Sequence, residues 1–142
     1  MELFLDCSSL LALPDISKWD TSKIIKMDAM FAGCTSLYYL DDISIWNTSL
    51  VSSMPHMFES CSSLIALPDV SRWDISNVTD IMGLFVKCEK LKSLPDISKW
   101  STNNIISMKG AFSHLTSLIS LPDISTWNTS KVVYLNNLFY QY

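Results

Sequence analysis

From Phe31 the apolar positions of the chain recur at every third residue, through Cys34, Leu37, Leu40, Ile43 and Trp46. After a five-residue step they resume at Val51, Met54 and Met57. A helical face alternates steps of three and four, and a strand steps by two. A sustained step of three fits neither. It predicts a polygonal coil in which very short strands alternate with turns or 3-10 pieces, which also take about three residues per turn.

The pattern is copied along the chain. All five tryptophans (Trp19, Trp46, Trp73, Trp100, Trp127) are 27 residues apart, as are the six phenylalanines and the four cysteines (Cys7, Cys34, Cys61, Cys88). The consensus [ML]-F-x-x-C-x-S-L-x-x-L-P-D-I-S-x-W-[DN]-T-S-x-[IV]-x-x-M-x-x runs from Leu3 to Phe139 without insertion or deletion. A fixed period of this length marks a repeat array. One unit could not bury its apolar face alone, so the stack of units is the expected folding unit. Residues 1–142 read as a single solenoid array of about five 27-residue repeats, expected to start and end in mid-array without caps, as a piece of something longer.

Turn residues place the corners. Pro14, Pro68, Pro95 and Pro122 each precede an aspartate, and the second repeat departs with Asp41-Asp42. Proline lacks a ladder donor and belongs at a strand start or corner. The Asp-Thr-Ser or Asn-Thr-Ser after most tryptophans reads as a second corner. Ala29, His56, Gly83, Gly110 and Asn137 mark a third, because small or turn-tolerant residues dominate there. Parallel pairing of neighbouring coils would raise each repeat by ~4.8 Å and turn equivalent residues into vertical ranks.

Composition narrows the function. With 49% apolar and 17% charged residues the chain can bury a core. A net charge of −4, with the ten basic residues scattered, argues against general nucleic-acid binding. No apolar run approaches the roughly 20 residues that span a bilayer, so membrane insertion is not expected. The start, Met1-Glu2-Leu3-Phe4, lacks a basic leader and falls directly into repeat phase.

The ranks then carry the candidate chemistry. Phe, Leu, Ile/Val, Trp and Met are expected in the core, with the tryptophan N–H on a carbonyl; an exposed aromatic stripe is the alternative for Trp. The cysteine rank reads as small packing residues, with Leu115 as an apolar substitute in the fifth repeat, and a metal or redox role as the lesser alternative. Carboxylates in the rank Asp15, Asp42, Asp69, Asp96, Asp123, ~5 Å apart, would repel by about 3 kcal/mol at a surface dielectric near 20. Asx-turns to the serine two residues on are expected to offset this, with calcium bridging as the alternative. No cofactor is expected. His56 and His114 fall at different phases, and a repeat array offers copies where catalysis needs one singular constellation, so an enzyme is not expected. Asn47-Thr48-Ser49, Asn77-Val78-Thr79 and Asn128-Thr129-Ser130 fit the glycosylation sequon, but the consensus generates such triplets by itself.

Specificity must then lie in outward ranks that differ between repeats. One reads Lys18, Ile45, Arg72, Lys99, Thr126 and another Leu11, Tyr38, Ile65, Lys92, Ile119. The second is unusually apolar for a surface. It is read as a contact face in preference to a further inward row. Tyr38, Ile65, Lys92, Ile119, Arg72 and Lys99 are the candidate partner-binding residues.

The phrases MFAGCTSL, MFESCSSLIALPDVSRWDISNVTDI and KSLPDISKWSTNNI resemble the BspA-like leucine-rich-repeat surface proteins, and more closely the Mycoplasma-type surface-lipoprotein repeats. The resemblance covers essentially the whole chain. It implies a leucine-rich-repeat-like right-handed coil with short parallel strands and short helical or 3-10 turns, a parallel β-helix being the alternative. It also implies a surface location and a role in adhesion or protein–protein contact. This chain departs from such surface proteins in showing no signal or lipid anchor, and its repeat is longer by Leu-Pro before the aspartate. The expected function is a non-catalytic scaffold that binds a protein or a surface glycan; the alternative is a structural segment that self-associates end to end.

Overall fold

The computed structural model describes residues 2–141, and among them there is no helix and no strand longer than one residue. Regular structure is replaced by a chain of tight turns. The N–H of Cys34 bonds the carbonyl of Phe31 at 3.2 Å, that of Leu37 bonds Cys34 at 3.1 Å, and that of Trp46 bonds Ile43 at 3.2 Å. Cys34, Leu37 and Trp46 are thus each tied to the apolar residue three before them, and there the turn underlies the step of three; Leu40 and Ile43 make no such bond.

Successive units lie on one another in register. Single parallel bridges link Lys26 to Ser53, Ser53 to Asp80, Asp80 to Ser107 and Ser107 to Tyr134. The short strands expected from sequence shrink to one residue because left-handed residues and three-residue turns on the next positions interrupt the extended backbone. Most pairing between units comes from elsewhere: the N–H groups of Met27, Ala29, Phe31 and Gly33 reach the carbonyls of Ser53, Pro55, Met57 and Glu59, at 2.8–2.9 Å. Every second residue donates along the stack, while Met30, Ala32 and Cys34 between them donate within their own unit.

Positive φ makes this geometry possible. All the left-handed residues fall in two ranks, Ala29, His56, Gly83, Gly110, Asn137 and Asp6, Gly33, Ser60, Lys87, His114, Gln141. In both ranks the N–H points to the next unit: His56 to Met82, Ser60 to Val86, Gly83 to Lys109 and Lys87 to Ser113. A left-handed L-residue costs roughly 1–2 kcal/mol, and Asp6, Ala29, His56, Ser60, Lys87 and His114 each gain an inter-unit hydrogen bond in return. At Gly83 (φ +59°) a side chain would also collide, since an added Cβ would lie 2.5 Å from Nδ1 of His56.

The inward ranks form one core. Phe31, Phe58, Phe85 and Phe112 are fully buried, with neighbouring ring centroids 5.6–5.9 Å apart. The tryptophans form an adjacent column, with Trp46 and Trp73 6.3 Å apart and parallel to 2°. Both spacings lie in the offset-stacked range for aromatic pairs. Four indole N–H groups bond a carbonyl 30 residues earlier: Trp46 to Ile16, Trp73 to Ile43, Trp100 to Val70 and Trp127 to Ile97, at 3.0–3.1 Å. The offset of 30 is one unit plus one three-residue turn, so the indole also locks the register.

Candidate binding face

The Asp rank defines the first corner. Oδ1 of Asp15 accepts the backbone N–H of Ser17 at 3.0 Å and its hydroxyl at 2.6 Å. Asp42, Asp69, Asp96 and Asp123 accept Ser44, Ser71, Ser98 and Ser125 backbone N–H groups at 2.9 Å. These serine hydrogen bonds hold the carboxylates of the rank below the usual aspartate range, against opposing repulsion between the neighbours Asp42 and Asp69. The second corner repeats the device, with Asp20, Asn47, Asp74 and Asn128 accepting Ser22, Ser49, Ser76 and Ser130. Two of the sequon asparagines, Asn47 and Asn128, therefore serve as turn makers.

Beyond the Asp corner, the rank of Arg72 points to solvent: Lys18, Ile45, Arg72, Lys99 and Thr126 are all exposed. Ile45 is 69% exposed. Lys18 lies 3.6 Å from Asp15, whereas Arg72 and Lys99 have no carboxylate within ion-pair distance among the described residues. The rank of Tyr38 is exposed at Leu11, Tyr38, Lys92 and Ile119, and half-buried at Ile65. It is held by backbone bonds from Tyr38 to Leu11, Lys92 to Ile65 and Ile119 to Lys92, at 3.1–3.2 Å. The six sequence-predicted residues thus occupy two outward ranks on either side of the Pro-Asp corner.

Sequence reasoning passed over Tyr39, whose neighbour Tyr38 was the candidate. Tyr39 is exposed, and with Leu40, Asp42, Ser44, Pro68, Asp69 and Arg72 it lines an open cleft of ≈ 630 Å³. The signal was available, because Tyr39 stands where the other repeats have Ala12, Ala66, Ser93 and Ser120.

The remaining titratable residues have structural places. Cys34, Cys61 and Cys88 are buried, and their thiols donate to the carbonyls of Phe4, Phe31 and Phe58 at 3.0–3.2 Å. Burial pushes the Cys34 thiol up to about 11 and that of Cys88 to about 12, and raises Cys61 as well. Thiolates, the reactive and metal-binding form, are disfavoured there. Cys7 is exposed. His56 places Nδ1 2.7 Å from Oε2 of Glu59, and His114 packs edge-on to Tyr140 at 5.5 Å. No group of three or more His, Cys, Asp or Glu side chains is arranged to hold a metal ion among the described residues. Nor is any described helix long and apolar enough to cross a membrane.

A stack of repeats with a uniformly apolar interior and variable outward ranks defines a repeat-array protein. The chain belongs to the family described as Mycoplasma protein of unknown function, DUF285, whose profile matches residues 1–112 and again residues 65–142. No curated protein and no solved structure matches the chain.

Proposed function

We propose that the chain is a non-catalytic binding module, a BspA-like, leucine-rich-repeat-like right-handed solenoid whose outward ranks contact a protein or a surface glycan. The carrying observation is the contrast between ranks. Inward positions repeat nearly unchanged, whereas Leu11, Tyr38, Ile65, Lys92 and Ile119 differ in every unit but one pair, and Leu11, Tyr38 and Ile119 among them are exposed apolar residues. Exposed apolar residues grouped on one face are the usual mark of an interaction site. The exposed cationic side chains of Arg72 and Lys99, across the Pro-Asp corner, supply orientation and encounter rate.

The test is binding of the purified chain to a printed array of secreted proteins and glycans, alongside Tyr38→Ala and Lys99→Glu. Both variants should melt like the parent while losing signal at the features it binds. Retained signal in both, or a parent that binds no feature, would sink the reading. Self-association is the competing reading, because the described unit containing Leu135 and Phe139 leaves them 47% and 38% exposed where Met108 and Phe112 are buried. Light scattering over a concentration series separates the two: open-ended growth favours self-association and a constant mass favours the binding module.

A further inference from the structure

In a repeat array, side chains that depart from the consensus together, in one unit and in mutual contact, are the places where the chain is not merely building its own stack. The second unit has such a departure. Tyr39 replaces the small residues Ala12, Ala66, Ser93 and Ser120, and Asp41 replaces Pro14, Pro68, Pro95 and Pro122. The two departing side chains meet, with the Tyr39 hydroxyl donating to Oδ1 of Asp41. That bond fixes an exposed aromatic ring at the mouth of the cleft lined by Asp42, Asp69 and Arg72.

The polar groups around the ring are of both kinds. Asp42 and Asp69 each spend Oδ1 on the serine turn and leave Oδ2 without a protein donor among the described residues. Arg72 brings donors that no carboxylate occupies within ion-pair distance among the described residues. An anion would meet the aspartates and a cation would meet the guanidinium. A neutral ligand whose groups both donate and accept satisfies the whole set, and an aromatic face matches the apolar C–H face of a sugar ring. The cleft volume of ≈ 630 Å³ is within the range of small-molecule sites.

We infer that the Tyr39 cleft is a saccharide subsite. A neutral pyranose lies on the Tyr39 ring, its hydroxyls donate to Asp42 and Asp69, and Arg72 donates to one of its oxygens. Asp41 is a positioning residue that holds the ring through the phenol. This inference rests on the binding-module reading and names the ligand class of one part of its surface.

The test is an NMR titration of the full chain with the methyl glycosides of glucose, galactose and mannose. At least one should saturate with shifts centred on Tyr39, Asp42, Asp69 and Arg72. Tyr39→Ala and Asp41→Pro each restore the residue that neighbouring units use, so both should fold with melting temperatures close to the parent. Tyr39→Ala should weaken the glycoside at least tenfold, and Asp41→Pro should weaken it less. Shifts that survive Tyr39→Ala unchanged would overturn the subsite, as would a chain that ignores all three glycosides. Preference for a lysine-rich peptide or for the methyl glycoside of sialic acid would overturn it too. If the chain binds array features through Tyr38 and Lys99 while the glycosides leave Tyr39 unmoved, the subsite alone falls and the binding module stands.

Discussion

Ile43 and Ile45 are two residues apart and chemically identical, yet one is fully buried and the other 69% exposed. Ile43 belongs to the rank Ile16, Ile43, Val70, Ile97, Ile124, where the residue barely changes. Ile45 belongs to Lys18, Ile45, Arg72, Lys99, Thr126, where it changes in almost every unit. The difference shows what in-register stacking imposes. An inward side chain packs on copies of itself above and below, so a change must fit two neighbours at once, and close-packed interiors feel even one methylene. An outward side chain meets water and answers to no copy. Uniformity here follows the direction of the rank and not the residue type; an outward rank stays uniform where a turn bond fixes the residue, as in Asp15, Asp42, Asp69, Asp96 and Asp123.

Breaking an inward rank should have the largest effect. Trp73→Ala removes a buried ring and leaves the carbonyl of Ile43 without its indole donor. It should cost about 3–5 kcal/mol and lower the melting temperature by roughly 10–20 °C. A melting curve within a few degrees of the parent would refute the inward assignment. Next comes the left-handed corner: Gly83→Ala forces an L-residue to φ +59° beneath His56. It should cost about 1–2 kcal/mol, measured by urea denaturation, and no loss would mean that the corner relaxes freely.

Acid should come third. The Asp-rank carboxylates are held below the ordinary value of 3.8 by their serine hydrogen bonds. A depressed carboxylate contributes stability that is present above its unfolded value and lost as pH falls through the folded one. Melting temperature should thus hold from pH 7 to 5 and decline below about pH 4; a decline already complete at pH 5 would contradict these turns. Smallest of all, Ile45→Lys should change stability by less than about 0.5 kcal/mol. A large loss there would erase the contrast with Ile43.

Much of this was legible in the residues. A tryptophan continuing an apolar three-step had to face inward and find a carbonyl, and aspartate two before serine had to cap a turn. What the residues could not say was which carbonyl, because an offset of 30 depends on how far an indole reaches into the neighbouring unit. The left-handed rank of Ala29 was visible through Gly83, Gly110 and Asn137. That of Asp6, Ser60, Lys87 and His114 was hidden, since glycine occurs there only at Gly33 and the conformation is imposed by the inter-unit bond instead of by local preference. The Tyr39–Asp41 pair escaped for a related reason: the Asp41-Asp42 departure is plain in the sequence, but its contact with Tyr39 needs the turn that folds one onto the other.

The central claim is that units stack in a 27-residue register, and the indole N–H groups report it one by one. Hydrogen exchange followed on the five tryptophan side-chain resonances should show Trp46, Trp73, Trp100 and Trp127 protected, each bonded to a carbonyl 30 residues earlier. Trp19, half-buried and without such a carbonyl among the described residues, should exchange much faster. Five indoles exchanging at one common rate would contradict the register and the stack built on it.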